Sequence, residues 1–274
     1  MFIPNTNNKY PYPEDTCNHY LNVKMDRGIA FDKDYPYVDY SKGFAFKRFW
    51  VRVLLTLLVF PILSHFKTGI KIKGKKNLKK HKALLKNGAI SIANHIHMWD
   101  YICVMKALHH YKWPYLLAWD KNVNGESGPL VRMVGGIPIP LNDPEATVSF
   151  SNAVKRILKE GNILHVYAEG SMWEYYAPIR PFKNGAASLA IKNNKPIIPM
   201  AFSYRKPGWI RRKIFKQPAA LTLNIGEPLF PNMDLEKGAQ VEDLTIRAHE
   251  AVSALAGFDH SVYPPIYNHS KRID

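Results

Sequence analysis

Four short clusters in the 274-residue chain combine residue types that can move a proton or hold an anion. The first is Asn94-His95-Ile96-His97-Met98-Trp99-Asp100, directly after the apolar run at 89–93. Four residues separate His95 from Asp100. If a helix begins between them, the carboxylate can hold one ring nitrogen and leave the other free as a base. A histidine and an aspartate capping a helix would read the same way. The second cluster is Tyr167-Ala168-Glu169-Gly170-Ser171. It offers one carboxylate and a glycine that permits close backbone approach, although an ordinary acidic turn has the same composition. The third, Pro181-Phe182-Lys183-Asn184-Gly185-Ala186, sets Lys183 just ahead of a helix start, where backbone amides favour phosphate. The fourth, Lys195-Pro196-Ile197-Ile198-Pro199-Met200, is a strand with proline boundaries whose main role is packing.

The elements that must position these clusters alternate. Residues 89–93, 115–119, 163–168, 197–202 and 221–225 read as strands, and 136–141 as an extended segment because its prolines exclude helix. Residues 99–109 and 185–192 read as helices. Asp143-Pro144 is an N-cap followed by proline at the first helical position, and Gly161 closes that helix. Leu244, Ala248, Val252 and Leu255 share one face of a late helix that Gly257 stops. Such alternation predicts an α/β fold: a mixed, mostly parallel sheet flanked by helices. Clusters one and two then sit at carboxyl ends of strands, the edge where α/β sheets bind ligands.

Three segments are expected: an irregular arm at 1–43, a membrane-interfacial helical segment at 44–68 and one domain at 69–274. The arm is rich in Tyr, Pro, Asn and Asp and shows no period. Residues 53–63 are apolar, shorter than the roughly 20 residues that span a bilayer. Lys47, Arg48 and Arg52 precede them, and Lys67, Lys71, Lys73, Lys75 and Lys76 follow. An apolar helix framed by basic residues suits the surface of one leaflet, with a buried core helix as the rival reading. The net charge of +16 points to an anionic partner. Two cysteines, Cys17 and Cys103, exclude a disulfide scaffold and a Cys-rich zinc module. No secretory signal is evident at the N-terminus, so the expected location is the cytoplasmic face of the cell membrane.

Taken in order, N-H-x4-D, G-G-I-x-I, E-G-S, P-F-K-x-G-A and P-I-I-P resemble the phospholipid/glycerol acyltransferase family over about residues 70–230. The resemblance implies a general base at His95 oriented by Asp100. It implies substrate-binding positions at Asn94, Gly136, Glu169, Gly170, Ser171 and Lys183. It also implies transfer of a fatty acyl chain from acyl-CoA or acyl-carrier protein to a lyso-lipid, 1-acyl-sn-glycerol-3-phosphate being the usual acceptor. No cofactor and no metal are implied. Two departures bear on the acceptor. The arginine usual after the second motif is replaced by Leu141-Asn142-Asp143, and the usual Glu-Gly-Thr-Arg reads Glu-Gly-Ser-Met. Arg180 and Lys183, or more weakly Arg132, are then candidates to hold the acceptor. Glycerol-3-phosphate, a non-phosphorylated lyso-lipid or a catalytically weak lipid-binding protein are the alternatives.

Other classes fit less well. His95-x-His97-x-x-Asp100 has the wrong spacing for a metallohydrolase and lacks the following histidine. No nucleic-acid motif accompanies the basic charge, and the basic residues flank apolar ones.

Overall fold

The computed structural model describes the chain except residues 1, 5, 7–8, 17, 20, 22–26, 259–262 and 268–274. Cys17 therefore lies outside the described residues. A seven-stranded sheet runs β1 (Lys71–Lys73), β7 (Ala220–Ile225), β6 (Ile197–Arg205), β2 (Ala89–Ala93), β5 (Ile163–Tyr167), β3 (Tyr115–Ala118), β4 (Gly136–Pro138). Every neighbouring pair is parallel except β6 and β7. The α/β expectation, mixed and mostly parallel, is met. β2 is buried at every position, and so are the first four residues of β5, because helices cover both faces of the sheet.

The helices follow the expected signals. The helix Pro144–Lys159 is capped by the Asp143 side chain, which accepts from Ala146 N–H, and carries proline in its first turn. The late helix, Lys237–Ala256, ends on Gly257 in the left-handed region. Short elements escaped the sequence reading: β1 and the helices Lys75–Lys80, Lys82–Lys86, Asp120–Asn124 and Gly128–Met133. Each is six residues or fewer, too short to show a period.

A continuous 27-residue helix, Lys42–Thr68, is long and apolar enough to cross a membrane by length and composition. The rival reading of this segment as a core helix is corrected. Phe46, Phe49, Trp50, Leu54, Leu57, Leu58, Ile62 and Phe66 are all exposed, Leu57 by 69%. Its other side lies along the domain. Arg52 stacks over Trp113 and Tyr115, and Arg48 donates to the Tyr115 hydroxyl at 3.1 Å. Phe60 packs with Ile102 and Met105, and Lys106 Nζ donates to Ser64 Oγ at 2.9 Å. So Arg48 and Arg52, read as part of an outward basic frame, are occupied by the protein itself.

Residues 27–41, which carry no helix or strand, are anchored to the domain. Tyr37 is buried against Phe150. The Asn124 side chain brackets Ile29, accepting from its N–H and donating to its carbonyl. Arg132 donates to the carbonyls of Pro36 and Tyr37. That occupies the guanidinium proposed as a weaker anion holder.

Candidate active site

Register places the first two clusters side by side. Ala93, the last residue of β2, pairs with Tyr167, the last of β5. The loops that leave these strands are then zipped together: Trp173 N–H donates to His95 C=O at 3.0 Å and Tyr175 N–H to Ile96 C=O at 2.8 Å. The helix Asp100–Leu108 begins at Asp100 itself, so the 94–99 loop folds back over that carboxylate.

Asp100 is fully buried and accepts from four donors. Oδ2 receives His95 Nδ1–H at 2.8 Å, Ile96 N–H at 3.2 Å and His97 N–H at 3.3 Å. Oδ1 receives the Tyr167 hydroxyl at 2.5 Å. With Nδ1 committed, His95 presents Nε2 as its free nitrogen, and its side chain is 23% exposed. The Tyr167 ring stacks on the imidazole, centroids 3.7 Å apart and planes at 8°. Position, tautomer and ring plane of His95 are thus all set by neighbours.

His97 does not join this pair. Trp99 N–H donates to its Nδ1, and its Nε2 faces Glu174 Oε1 at 3.4 Å. Burial pushes His97 down to about 4 and Glu174 up to about 7, so the contact carries little ionic character near neutrality. Glu174 also accepts Met98 N–H, fixing the loop that carries His95. Burial pushes the Cys103 thiol up to about 12, which leaves it a poor nucleophile.

The pair opens into a cleft of about 1160 Å³. Its walls are largely apolar, with Leu116, Leu117, Val131, Val134, Ile139 and Val166. His95, Gly170, Ser171 and Lys183 line it as well. That volume exceeds the roughly 300–1,000 Å³ of a site for a compact small molecule. A histidine with a free ring nitrogen in a large, mostly apolar cleft suits a molecule with an extended hydrocarbon part.

Residues 69–203 match the family model described as Acyltransferase. Residues 69–203 belong to the acyltransferase family. Among solved structures it is similar to the 1-acyl-sn-glycerophosphate (LPA) acyltransferase PlsC from Thermotoga maritima. Identity is 17% and the TM-score 0.47, over 80% of this chain and 90% of that one. No curated protein matches the chain.

In this acyltransferase-family site the expected residues divide into two groups. His95, Asp100, Gly170, Ser171 and Lys183 meet at the cleft. Gly170 sits at φ +77°, and a Cβ there would strike the Lys183 side chain at 2.7 Å, so glycine lets the lysine lie across the turn. The others, expected to touch substrate, do not line the cleft. Asn94 is buried and clamps the Phe202 backbone of β6 through both its amide atoms. Gly136 is buried in β4, where a Cβ would collide with Val131. Glu169 is buried and accepts from His95 N–H, Arg180 N–H and Arg180 Nη2. Arg180, at 1% exposed, is spent on Glu169, Ser171 and the carbonyl of Thr16, with its face on Trp173. Asn94, Glu169 and Arg180 tie neighbouring segments together, and Gly136 packs within β4.

Sequence reasoning passed over Tyr167 and Glu174 as contributors. Tyr167 carried one signal, a polar-tipped ring at the last position of a buried strand. Glu174 carried none, because its partner Met98 N–H is distant in sequence.

Proposed function

We propose that the chain transfers an acyl group from a thioester donor, acyl-CoA or acyl-carrier protein, to the hydroxyl of a lyso-lipid. The observation that carries this reading is the Asp100–His95 pair with its free Nε2 lining a large, mostly apolar cleft. Nε2 takes the proton from the acceptor hydroxyl. The oxygen attacks the thioester carbonyl, the tetrahedral intermediate collapses, and Nε2–H returns the proton to the departing thiolate. Asp100 keeps the proton on Nδ1 beforehand and stabilises the imidazolium while it lasts. Transfer is direct, with no acyl-enzyme and no role for Cys103.

The acceptor that the family resemblance implies is 1-acyl-sn-glycerol-3-phosphate. The occupied state of Arg180 favours a second reading, a different acceptor headgroup. Membrane attachment forms part of the same proposal. The outward apolar side of the helix Lys42–Thr68 and the exposed Trp209, Ile210, Ile214 and Phe215 form one surface, joined by the Phe66–Phe215 contact. Arg211 and Gln217 donate to the carbonyls of Phe66 and its neighbours, tying the helix end to this segment. A helix held along the domain from Arg48 to Thr68 lies in a leaflet beside it, and the basic net charge favours an anionic surface.

The test is acyl transfer by purified protein with both donors and a panel of lyso-lipids, using His95→Ala as control. His95→Ala is expected to reduce turnover by about 10²–10⁴-fold while keeping the melting temperature. Near-normal turnover in that variant would overturn the assignment.

A further inference from the structure

We propose that the N-terminal arm, through Tyr12, Thr16, Asn18 and His19, is a strap across the cleft. It ties the loop after β5 to the residue after β3, holds the loop that positions His95 and shields that histidine. This role goes beyond the acyl-transfer reading and does not depend on it.

Buried donors of the loop after β5 are aimed at the arm. Arg180 Nη1 donates to Thr16 C=O at 2.9 Å, and Ser171 Oγ–H and Trp173 Nε1–H donate to Asn18 C=O at 3.1 and 2.9 Å. Arg180 Nη1 also donates to Ser171 Oγ at 2.7 Å, so the two arm carbonyls close one network. Arg180, Ser171 and Trp173 are all buried. Lifting the arm strips an acceptor from each of them, which favours the docked position. Rings add to this. Tyr12 lies flat on Trp173, with centroids 5.4 Å apart and planes at 13°, and meets Tyr176 edge-on at 4.8 Å. Its hydroxyl donates to Glu174 C=O at 2.6 Å.

The next contact is on the other wall. His19 is stacked on Trp119, with centroids 3.8 Å apart and planes at 7°. Trp119 directly follows β3, and β3 and β5 are parallel neighbours, so their carboxyl ends lie side by side. Tyr12 and Asn18 therefore hold one strand end and His19 the next. His19, Trp119, Ser171 and His95 line the same cleft, and His19 is near enough to feel the charges of Lys183 and His95. A terminal segment packed in a surface groove would touch one wall. This one joins two, through groups that face the cleft.

The loop it holds also holds the histidine. Glu169 accepts His95 N–H, and Trp173 N–H and Tyr175 N–H donate to the carbonyls of His95 and Ile96. Fixing Trp173 from outside thus supports the position of His95.

The full-length protein would be treated with diethyl pyrocarbonate, which acylates the free nitrogen of an accessible imidazole, and the modified sites located by mass spectrometry. His95 has its Nε2 free, and the exposed His110 serves as internal reference. Tyr12→Ala with His19→Ala removes both stacks, and Tyr12→Phe with His19→Phe keeps them. In the alanine pair His95 is expected to react about tenfold faster with His110 unchanged, because two ring contacts no longer oppose opening. In the phenylalanine pair its rate is expected to stay within about twofold of the unaltered protein. Acyl transfer by the same samples is expected to fall about tenfold in the alanine pair, chiefly through kcat, and to recover in the phenylalanine pair. An unchanged His95 rate in the alanine pair would overturn the strap. So would an equal rise in the phenylalanine pair. The single alanine variants are read in the same way, so a pair that fails to fold leaves the test standing. Faster His95 modification in the alanine pair, with no acyl transfer by the unaltered protein, would support the strap and overturn the acyl-transfer reading.

Discussion

At the scale of single residues, the catalytic assignment turns on how thoroughly His95 is constrained. Its Nδ1 is committed to Asp100, its ring is stacked on Tyr167, and its backbone N–H is held by Glu169. Asp100 supports this only because four donors compensate its burial. Tyr167→Phe keeps the stacked ring and removes one of those donors. A fall of about tenfold in kcat with little change in KM is expected, since a buried hydrogen bond to a charged group is worth about 1.5–3 kcal/mol. Steady-state kinetics would check it. An unchanged kcat would show that the hydroxyl only fills space.

At the scale of elements, the decisive pair is buried. Glu169 and Arg180 pair within the loop after β5, Glu169 also ties that loop to the loop after β2 by accepting from His95 N–H, and their side chains are 2% and 1% exposed. Glu169→Gln leaves the guanidinium without its counter-charge, so a loss of about 3–5 kcal/mol in unfolding free energy is expected. Replacing both partners with apolar residues of similar volume should cost less than that single change. Thermal melts of the two variants decide the matter, and equal losses would refute the coupling. The helix Lys42–Thr68 makes a separate prediction. Leu57→Glu with Leu58→Glu puts two charges at exposed positions, so folding should be unaffected. Binding to phosphatidylglycerol-containing vesicles should drop by about tenfold or more, because each removed apolar side chain contributes up to about 1.5–3 kcal/mol of burial in the leaflet. Sedimentation with vesicles measures this, and undiminished binding would reject the docking surface.

At the scale of the whole molecule, pH should act through buried histidines. Burial pushes His97, His165 and His249 down to about 4, 3 and 4 from 6.5. Below pH 6.5 the unfolded chain binds protons that the folded chain refuses, so stability falls as pH drops from 6.5 toward 4. Each group contributes at most about 1.4 kcal/mol per pH unit. Glu174 acts oppositely. Its carboxyl is raised from 4.5 to about 7, so its contribution is complete below 4.5 and is lost as pH rises through 7. Set against Glu174, these histidines give a melting temperature that declines on acidification from 6.5 to 4.5. A flat or rising profile would contradict the buried neutral state of these histidines.

Much of this was legible from residue order. The strands show because buried parallel strands are continuous apolar runs, as in 89–93 and 197–202. Asp143-Pro144 and Gly257 mark helix ends because backbone sterics and unsatisfied amides select those residues. His95 and Asp100 show because their spacing is local. What tertiary structure alone decided are contacts between groups far apart in sequence. Asn94 reaches Phe202, Tyr167 reaches Asp100, and Thr16 and Asn18 close over Arg180, Ser171 and Trp173. Arg180 therefore reads as a free cation in the sequence and is a sealed one in the fold. Local propensity and spacing act along the chain and can be read there. Burial and pairing depend on which distant segment arrives at the same place, and only the folded chain settles that.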